Sequence, residues 1–224
     1  MKTKEQIAST IDHAILRPEY TVNDVIEGCR VGIAYGVASV CVRPTDVAIA
    51  KKELADSKVK VSAVIGFPHG ANRSEVKALE AELAIRDGAT ELDMVMNIGM
   101  FLSEKYSYVI KDISEVVKVA KPHGVIVKVI LETCYLSSEQ IGEACWLSHQ
   151  AGADYVKTST GFGTGVATYE AVEIMYQMVW DCMEVKASGG IKDYQTLEGY
   201  LKRGCKRIGT SSTQNILDNI PCEK

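Results

Sequence analysis

Ala151-Gly152-Ala153-Asp154-Tyr155-Val156-Lys157-Thr158-Ser159-Thr160-Gly161 holds the end of a helix, a turn, a short strand and a loop in one stretch. Gly152 is a helix stop, Tyr155 and Val156 suit a strand, and the hydroxyls and glycine that follow suit a loop. The residues before it read as a helix. Ser137 and Ser138 offer N-caps, and Ile141, Ala144, Cys145 and Ser148 fall on one face. The same order recurs upstream, where Asp87-Gly88-Ala89-Thr90 precedes the run Glu91-Leu92-Asp93-Met94-Val95-Met96-Asn97. A helix is predicted over 74–87, with Ser74 as N-cap and Gly88 as stop. Its recurrent apolar positions, Val76, Leu79, Leu83 and Ala84, are expected to form the buried face.

Outward from these two units, β-like runs fall at 9–14, 38–42, 60–65, 91–97, 126–131, 155–158, 184–187 and 207–210. They are spaced by roughly 25–35 residues, about one βα unit each. Strands alternating with helices in this way predict a closed parallel (β/α)8 TIM barrel, and 224 residues fit one such domain spanning 1–224. Charge runs such as Lys51-Lys52-Glu53 read as solvated helix faces, and no linker or low-complexity segment divides the chain.

A formal net charge of −4 argues against a nucleic-acid binder, since phosphate backbones select basic faces. No apolar run reaches the length of a membrane span, and the first residues lack the apolar segment of a secretory signal. Seven cysteines without regular spacing suggest reduced thiols, hence a cytoplasmic protein. The four histidines, His13, His69, His123 and His149, have no metal-ligand spacing, so neither a metal nor another cofactor is expected.

The candidate chemistry lies in two lysines at strand ends. Lys157 precedes Thr158-Ser159-Thr160-Gly161, and Lys186 precedes Ala187-Ser188-Gly189-Gly190. Catalytic groups of this fold sit at the C-terminal ends of its strands. Two ammonium groups on adjacent strands repel, by about 3 kcal/mol at ~5 Å and an effective dielectric of ~20. That corresponds to about two pKa units, enough to bring one lysine toward ~8 and make it nucleophilic. The residues alone do not rank the two lysines.

Asp93 stands in an otherwise apolar strand and must find a partner, as a core ion pair or as a proton shuttle. Asp12 is a second inward carboxylate candidate. Lys128 and Glu132, four apart in one strand, are expected to pair with Asp93 or Asp12, in a relay or in a plain core ion pair. Gly189 and Gly190 after the seventh strand, and Gly209, Ser211 and Ser212 at the eighth, form a candidate phosphate site, with Thr160 and Gly161 as further donors. Cys41 reads as a small core thiol or as a pocket wall. Gly161-Phe162-Gly163-Thr164-Gly165 has no ribose-binding acid at the required distance, so it is not a dinucleotide loop.

These segments together resemble the deoxyribose-phosphate aldolase family, Schiff-base enzymes built on a TIM barrel. The resemblance rests on Asp12-His13-Ala14-Ile15-Leu16-Arg17-Pro18, Ser39-Val40-Cys41-Val42-Arg43-Pro44, Gly66-Phe67-Pro68-His69-Gly70, Glu91–97, Lys128-Val129-Ile130-Leu131-Glu132-Thr133, both lysine segments, and Ile208-Gly209-Thr210-Ser211-Ser212. It runs nearly end to end and in family order. It implies that Lys157 is the nucleophile, Lys186 the neighbour that keeps it deprotonated, and Asp93 the proton shuttle. It also implies a small phosphorylated sugar as substrate and a homo-oligomer, dimer or tetramer. Departures are Ala14 for threonine, Arg17 for lysine, and Val166 and Glu184 where glycine is common. None removes a group that imine formation needs. Composition and spacing by themselves also admit another phosphosugar barrel, such as an isomerase, or a barrel that only binds phosphorylated metabolites.

Overall fold

In the computed structural model, which describes residues 2–179 and 182–221, the barrel closes. Its strands are β1 Ile11–Ile15, β2 Ser39–Val42, β3 Lys60–Ile65, β4 Glu91–Val95, β5 Ile126–Ile130, β6 Tyr155–Lys157, β7 Glu184–Ser188 and β8 Arg207–Thr210. Every neighbouring pair is parallel, and β8 returns to β1 through Asp12 opposite Gly209. The strand positions read from sequence hold, with ends displaced by a residue or two.

Alternation along each strand divides the interior into two regions. Leu92 and Met94 of β4, Val127 and Val129 of β5 and Val185 and Ala187 of β7 belong to the apolar cluster between barrel and helices. The intervening positions face the lumen. There lie Asp93, Lys128, Lys157 and Lys186, with Val64, Val95 and Ile130. All of β4 is buried, because a parallel barrel strand is covered on both faces. Each fully buried Leu, Ile or Val contributes about 1.5–3 kcal/mol, so the outer cluster can hold a lumen full of charge.

The helix Ser138–Gln150 follows the reading from sequence: Ser137 caps it reciprocally with Gln140, and Ile141, Ala144, Cys145 and Ser148 are buried. The helix Ser74–Asp87 corrects its reading. Arg73, without a side-chain capping bond, is its N-cap, and Ser74 is the first helical residue and is buried. Gly88 closes it in the left-handed conformation as expected. Ser74, Lys77, Ala81 and Ala84 are buried, whereas Val76, Leu79 and Leu83 face outward. The reason is an ion pair with no solvent contact. Lys77 Nζ donates to Asp112 Oδ2 at 2.5 Å and to the Val95 carbonyl at 2.9 Å. Small Ala81 and Ala84 let this helix lie close on Tyr106–Ala120, and that rotation leaves the larger aliphatics outside.

Six of the cysteines are described and all are free thiols; Cys222, the seventh, lies outside the described residues. No helix among the described residues is long and apolar enough to cross a membrane.

Candidate active site

Register brings the two lysines together. Lys157 and Lys186 are paired across β6 and β7, and Asp93 faces Lys128 across β4 and β5. Lys157 Nζ and Lys186 Nζ both donate to Asp93 Oδ2, each at 2.7 Å. Lys128 Nζ donates to the other oxygen, Oδ1, at 2.9 Å, which also accepts from the Ser62 hydroxyl at 3.2 Å. One buried carboxylate thus holds three amines.

Below that level lies a second ionic layer. Lys186 also reaches Asp12 Oδ2 at 2.5 Å, and Lys128 reaches Glu91 at 2.7 Å. Arg207 spans Glu91, at 2.8 and 3.1 Å, and Asp12, at 2.5 Å, while Ser39 Oγ donates to Asp12 at 2.8 Å. Glu91 and Arg207 were not singled out from sequence. Glu91 stands two residues before Asp93 and so shares its face, and Arg207 opens the last strand; those positions were the available signal.

This arrangement ranks the lysines. Three acids, Asp12, Glu91 and Asp93, face four inward-pointing bases, Lys128, Lys157, Lys186 and Arg207, while half-exposed Lys60 reaches Glu91 from outside at 3.5 Å. A surplus buried cation is unfavourable, so the base with the fewest acid partners yields its proton first. Lys157 has Asp93 alone, Lys186 has two acids, Arg207 has two and Lys128 has three. Accordingly the Lys157 amine is held below the ordinary lysine value, chiefly by burial; Asp93 opposes this and the Lys186 charge adds to it. Repulsion between the lysines is therefore not the leading cause, contrary to the reading from sequence. Burial acts on Lys186 too, but Asp12 and Asp93 overcome it and raise its value. Asp93 is desolvated, yet Lys128, Lys157 and Lys186 hold its carboxyl well below the usual carboxylate range.

Above the amines opens a cavity of about 370 Å³. Asp12, Cys41, Lys157, Thr160, Gly161, Lys186, Gly189, Gly190, Gly209, Ser211 and Ser212 all line it; Asp93 and Lys128, fully buried, lie behind. Cys41 is both things considered for it, a core thiol 2% exposed and part of the cavity wall, and burial pushes its thiol up. Several hydroxyls near the phosphate loops are occupied. Ser188 Oγ donates to the Ser159 carbonyl at 2.5 Å, and Thr210 Oγ1 donates to the Ile191 carbonyl at 2.6 Å while accepting from Ser212 N–H at 2.9 Å. The Thr160 hydroxyl donates to Glu132. For an anion there remain the backbone of the glycine turns, the hydroxyls of Ser211 and Ser212, and the cationic side chains of Arg17 and Lys192, which also line the cavity.

Glu132 is thus a correction. It does not pair with Asp93 or Asp12. It lies past the end of β5 with φ 56° and ψ 63°, and its carboxylate turns to the loop after β6. Gly209 has a second role as a spacer. A Cβ there would lie 2.8 Å from Ser188 Cβ and 3.3 Å from Lys186 Cε. Among the described residues no group of three or more His, Cys, Asp or Glu is arranged to hold a metal ion.

Known proteins share this sequence pattern and this barrel. The family model described as "DeoC/LacD family aldolase" matches residues 3–215. A deoxyribose-phosphate aldolase of Thermococcus kodakarensis is 50% identical, covering 98% of this chain and 99% of its own length. One from Caldanaerobacter subterraneus subsp. tengcongensis is also 50% identical, covering 95% and 92%. Among solved structures, the tetrameric deoxyribose phosphate aldolase of Aeropyrum pernix superposes with a TM-score of 0.90 at 35% identity, covering 96% of this chain and 91% of that one. A match over 213 of 224 positions, on a closed barrel with a shielded amine at the end of β6, leads to one assignment: the chain belongs to the DeoC/LacD family of aldolases.

Proposed function

We propose that this protein reversibly cleaves 2-deoxy-D-ribose 5-phosphate into D-glyceraldehyde 3-phosphate and acetaldehyde, through a Schiff base on Lys157. The observation that carries the reading is the imbalance of partners in the lumen: of the amines there, Lys157 has one acid and the others have two or three. At neutral pH it is the group most able to stand unprotonated and attack a carbonyl.

The amine adds to C1 of the open-chain sugar, and the carbinolamine loses water to give a protonated imine. Asp93, held as a carboxylate by three amines, passes protons on and does not supply the first one. The proton for water loss comes from the Lys186 ammonium across the oxygen that both amines share. The Lys186 amine, neutral after that transfer, takes the C3 hydroxyl proton by way of Asp93 as the C2–C3 bond breaks, and the electron pair of that bond enters the imine, leaving an enamine that the same route reprotonates. D-Glyceraldehyde 3-phosphate departs. Protonation at C2 and hydrolysis then release acetaldehyde and restore the amine. Asp93 keeps both amines in place as protons pass, and Lys128 fixes its other oxygen.

Gly161, Gly189, Gly190, Gly209, Ser211 and Ser212 anchor the phosphate away from the reacting bond, which orients the chain for cleavage. Asp12 and Lys128 hold the charge balance, and Cys41 shapes the wall. The whole chain acts as one domain, without a metal or organic cofactor, as a cytoplasmic homo-oligomer that binds neither nucleic acid nor membrane.

The direct test is acetaldehyde release from deoxyribose 5-phosphate, with borohydride trapping of the acetaldehyde imine and peptide mass analysis. A two-carbon adduct at Lys157 is expected. No release, or an adduct mainly at Lys186 or Lys128, overturns the reading. An isomerase on the same barrel would give no adduct.

A further inference from the structure

We infer that Glu132 is the positioning residue that makes this site selective for a phosphorylated substrate, by clamping the loop that joins Lys157 to the phosphate end of the cavity. The inference rests on the Schiff-base reading above and deepens it.

Glu132 is 2% exposed, yet its carboxylate is satisfied by neutral donors. Thr160 N–H donates to it at 3.2 and 3.3 Å, and the Thr160 hydroxyl donates to Oε2. The same hydroxyl accepts from Phe162 N–H at 3.0 Å, so one carboxylate organises the turn 160–162. The loop beyond is fitted to it as well. A Cβ at Gly163 would stand 3.0 Å from Glu132 Cδ, and Cys134 Sγ is 4.0 Å from Oε1. Glu132 keeps a left-handed backbone, unfavourable for a residue with a side chain, and this conformation aims the carboxylate across at β6 instead of into the lumen.

The backbone repeats the link. Leu131 N–H donates to the Lys157 carbonyl at 2.9 Å, and Thr133 N–H donates to the Thr158 carbonyl at 3.0 Å. The nucleophile is therefore held by the strands, and the segment after it by Glu132. Release of the clamp should displace Gly161 and Phe162, which line the cavity, and leave the Lys157 amine on Asp93. A strained backbone that serves a buried charge–hydroxyl contact is what a site keeps for pre-organisation.

The separation of phosphate anchoring from imine chemistry is testable. Glu132→Gly adopts the left-handed backbone freely and removes the carboxylate together with its two methylenes, so Glu132→Gln is the control that keeps the volume. It should raise KM for deoxyribose 5-phosphate by roughly 10- to 100-fold, with kcat/KM for unphosphorylated 2-deoxyribose changed less than about 3-fold. Borohydride trapping of acetaldehyde at Lys157 should persist. Glu132→Gln, which still accepts from Thr160, should fall between variant and wild type. Thr160→Val should repeat the effect in smaller size, and it decides the matter if Glu132→Gly does not accumulate as folded protein. Equal losses on both sugars, lost trapping, or unchanged KM in Glu132→Gly and Thr160→Val would each overturn the inference. Failure of the wild type to release acetaldehyde would instead sink the underlying reading.

Discussion

Strands β6 and β7 carry almost the same local message: a lysine opposite its counterpart, followed by small and hydroxyl residues. Both amines are buried and both donate to Asp93 at 2.7 Å. The difference lies across the lumen. Lys186 has Asp12 at 2.5 Å as a second acid, and Lys157 has none. Burial lowers the one and fails to lower the other. Which amine yields its proton more readily is thus specified by the partners its neighbour takes, more than by its own motif.

The most severe break of this comparison is Lys157→Ala, which should abolish both imine trapping and aldehyde release. If Lys186 took over at a measurable rate, the two strands would be equivalent after all. Lys186→Leu comes next. It removes a positive charge beside Lys157, so the nucleophile should hold its proton to higher pH. The expected loss is up to roughly 100-fold at pH 6 and shrinks only in part as pH rises, because the variant also lacks the ammonium that supplies the proton for water loss. Single-turnover imine formation from pH 6 to pH 10 would check it. A loss independent of pH would show that Lys186 acts by direct contact and not by tuning.

The same contrast occurs within β1. Asp12 faces the ionic lumen and stays charged, while His13 on the other face meets the Thr213 hydroxyl at 2.8 Å and no acid. Burial lowers His13 to about 4 from the ordinary imidazole value of 6.5. The folded state favours the neutral ring, so its contribution is intact above pH 6.5 and is lost as pH falls toward 4. Between pH 7 and pH 5 this should remove about 2 kcal/mol of stability. Urea denaturation at both pH values should show a flatter dependence in His13→Gln, and equal slopes would contradict the assignment.

Asp12→Asn is the subtlest case, because it makes the two lysines more alike. Lys186 would lose one of its two acids and become easier to deprotonate. About a 10-fold loss of rate is expected, with a minor borohydride adduct appearing at Lys186. An adduct confined to Lys157 with an unchanged pH profile would show that Asp12 does not set the difference.

The barrel was legible because each βα unit repeats its signals, such as Gly88 and Gly152 after helices and β-branched runs before loops. The helix 74–87 misled because its apolar spacing fits two faces. The Lys77–Asp112 pair, between residues far apart in sequence, chose the face with small residues. At the site, Lys157, Lys186 and Asp93 stood out as charges at or within apolar strands. The pairing of Glu132 was hidden because β5 ends at Ile130 and a left-handed residue breaks the alternation that the reading assumed. Glu91 and Arg207 open strands, where charge commonly faces solvent; their inward direction depends on closure of the whole barrel.

The missing side chain at Gly209 gives this acid–base system a mechanical adjustment. Position 209 is opposite both Ser188 and Asp12 in register, and the space above it is where the methylene stem of Lys186 lies. A single methyl introduced there would press on that stem without adding or removing any ionisable group. The proton-transfer properties of the centre could then be altered by volume alone. Evolution or a designer could shift the reactivity of the neighbouring strand by a steric change, leaving the charge inventory intact.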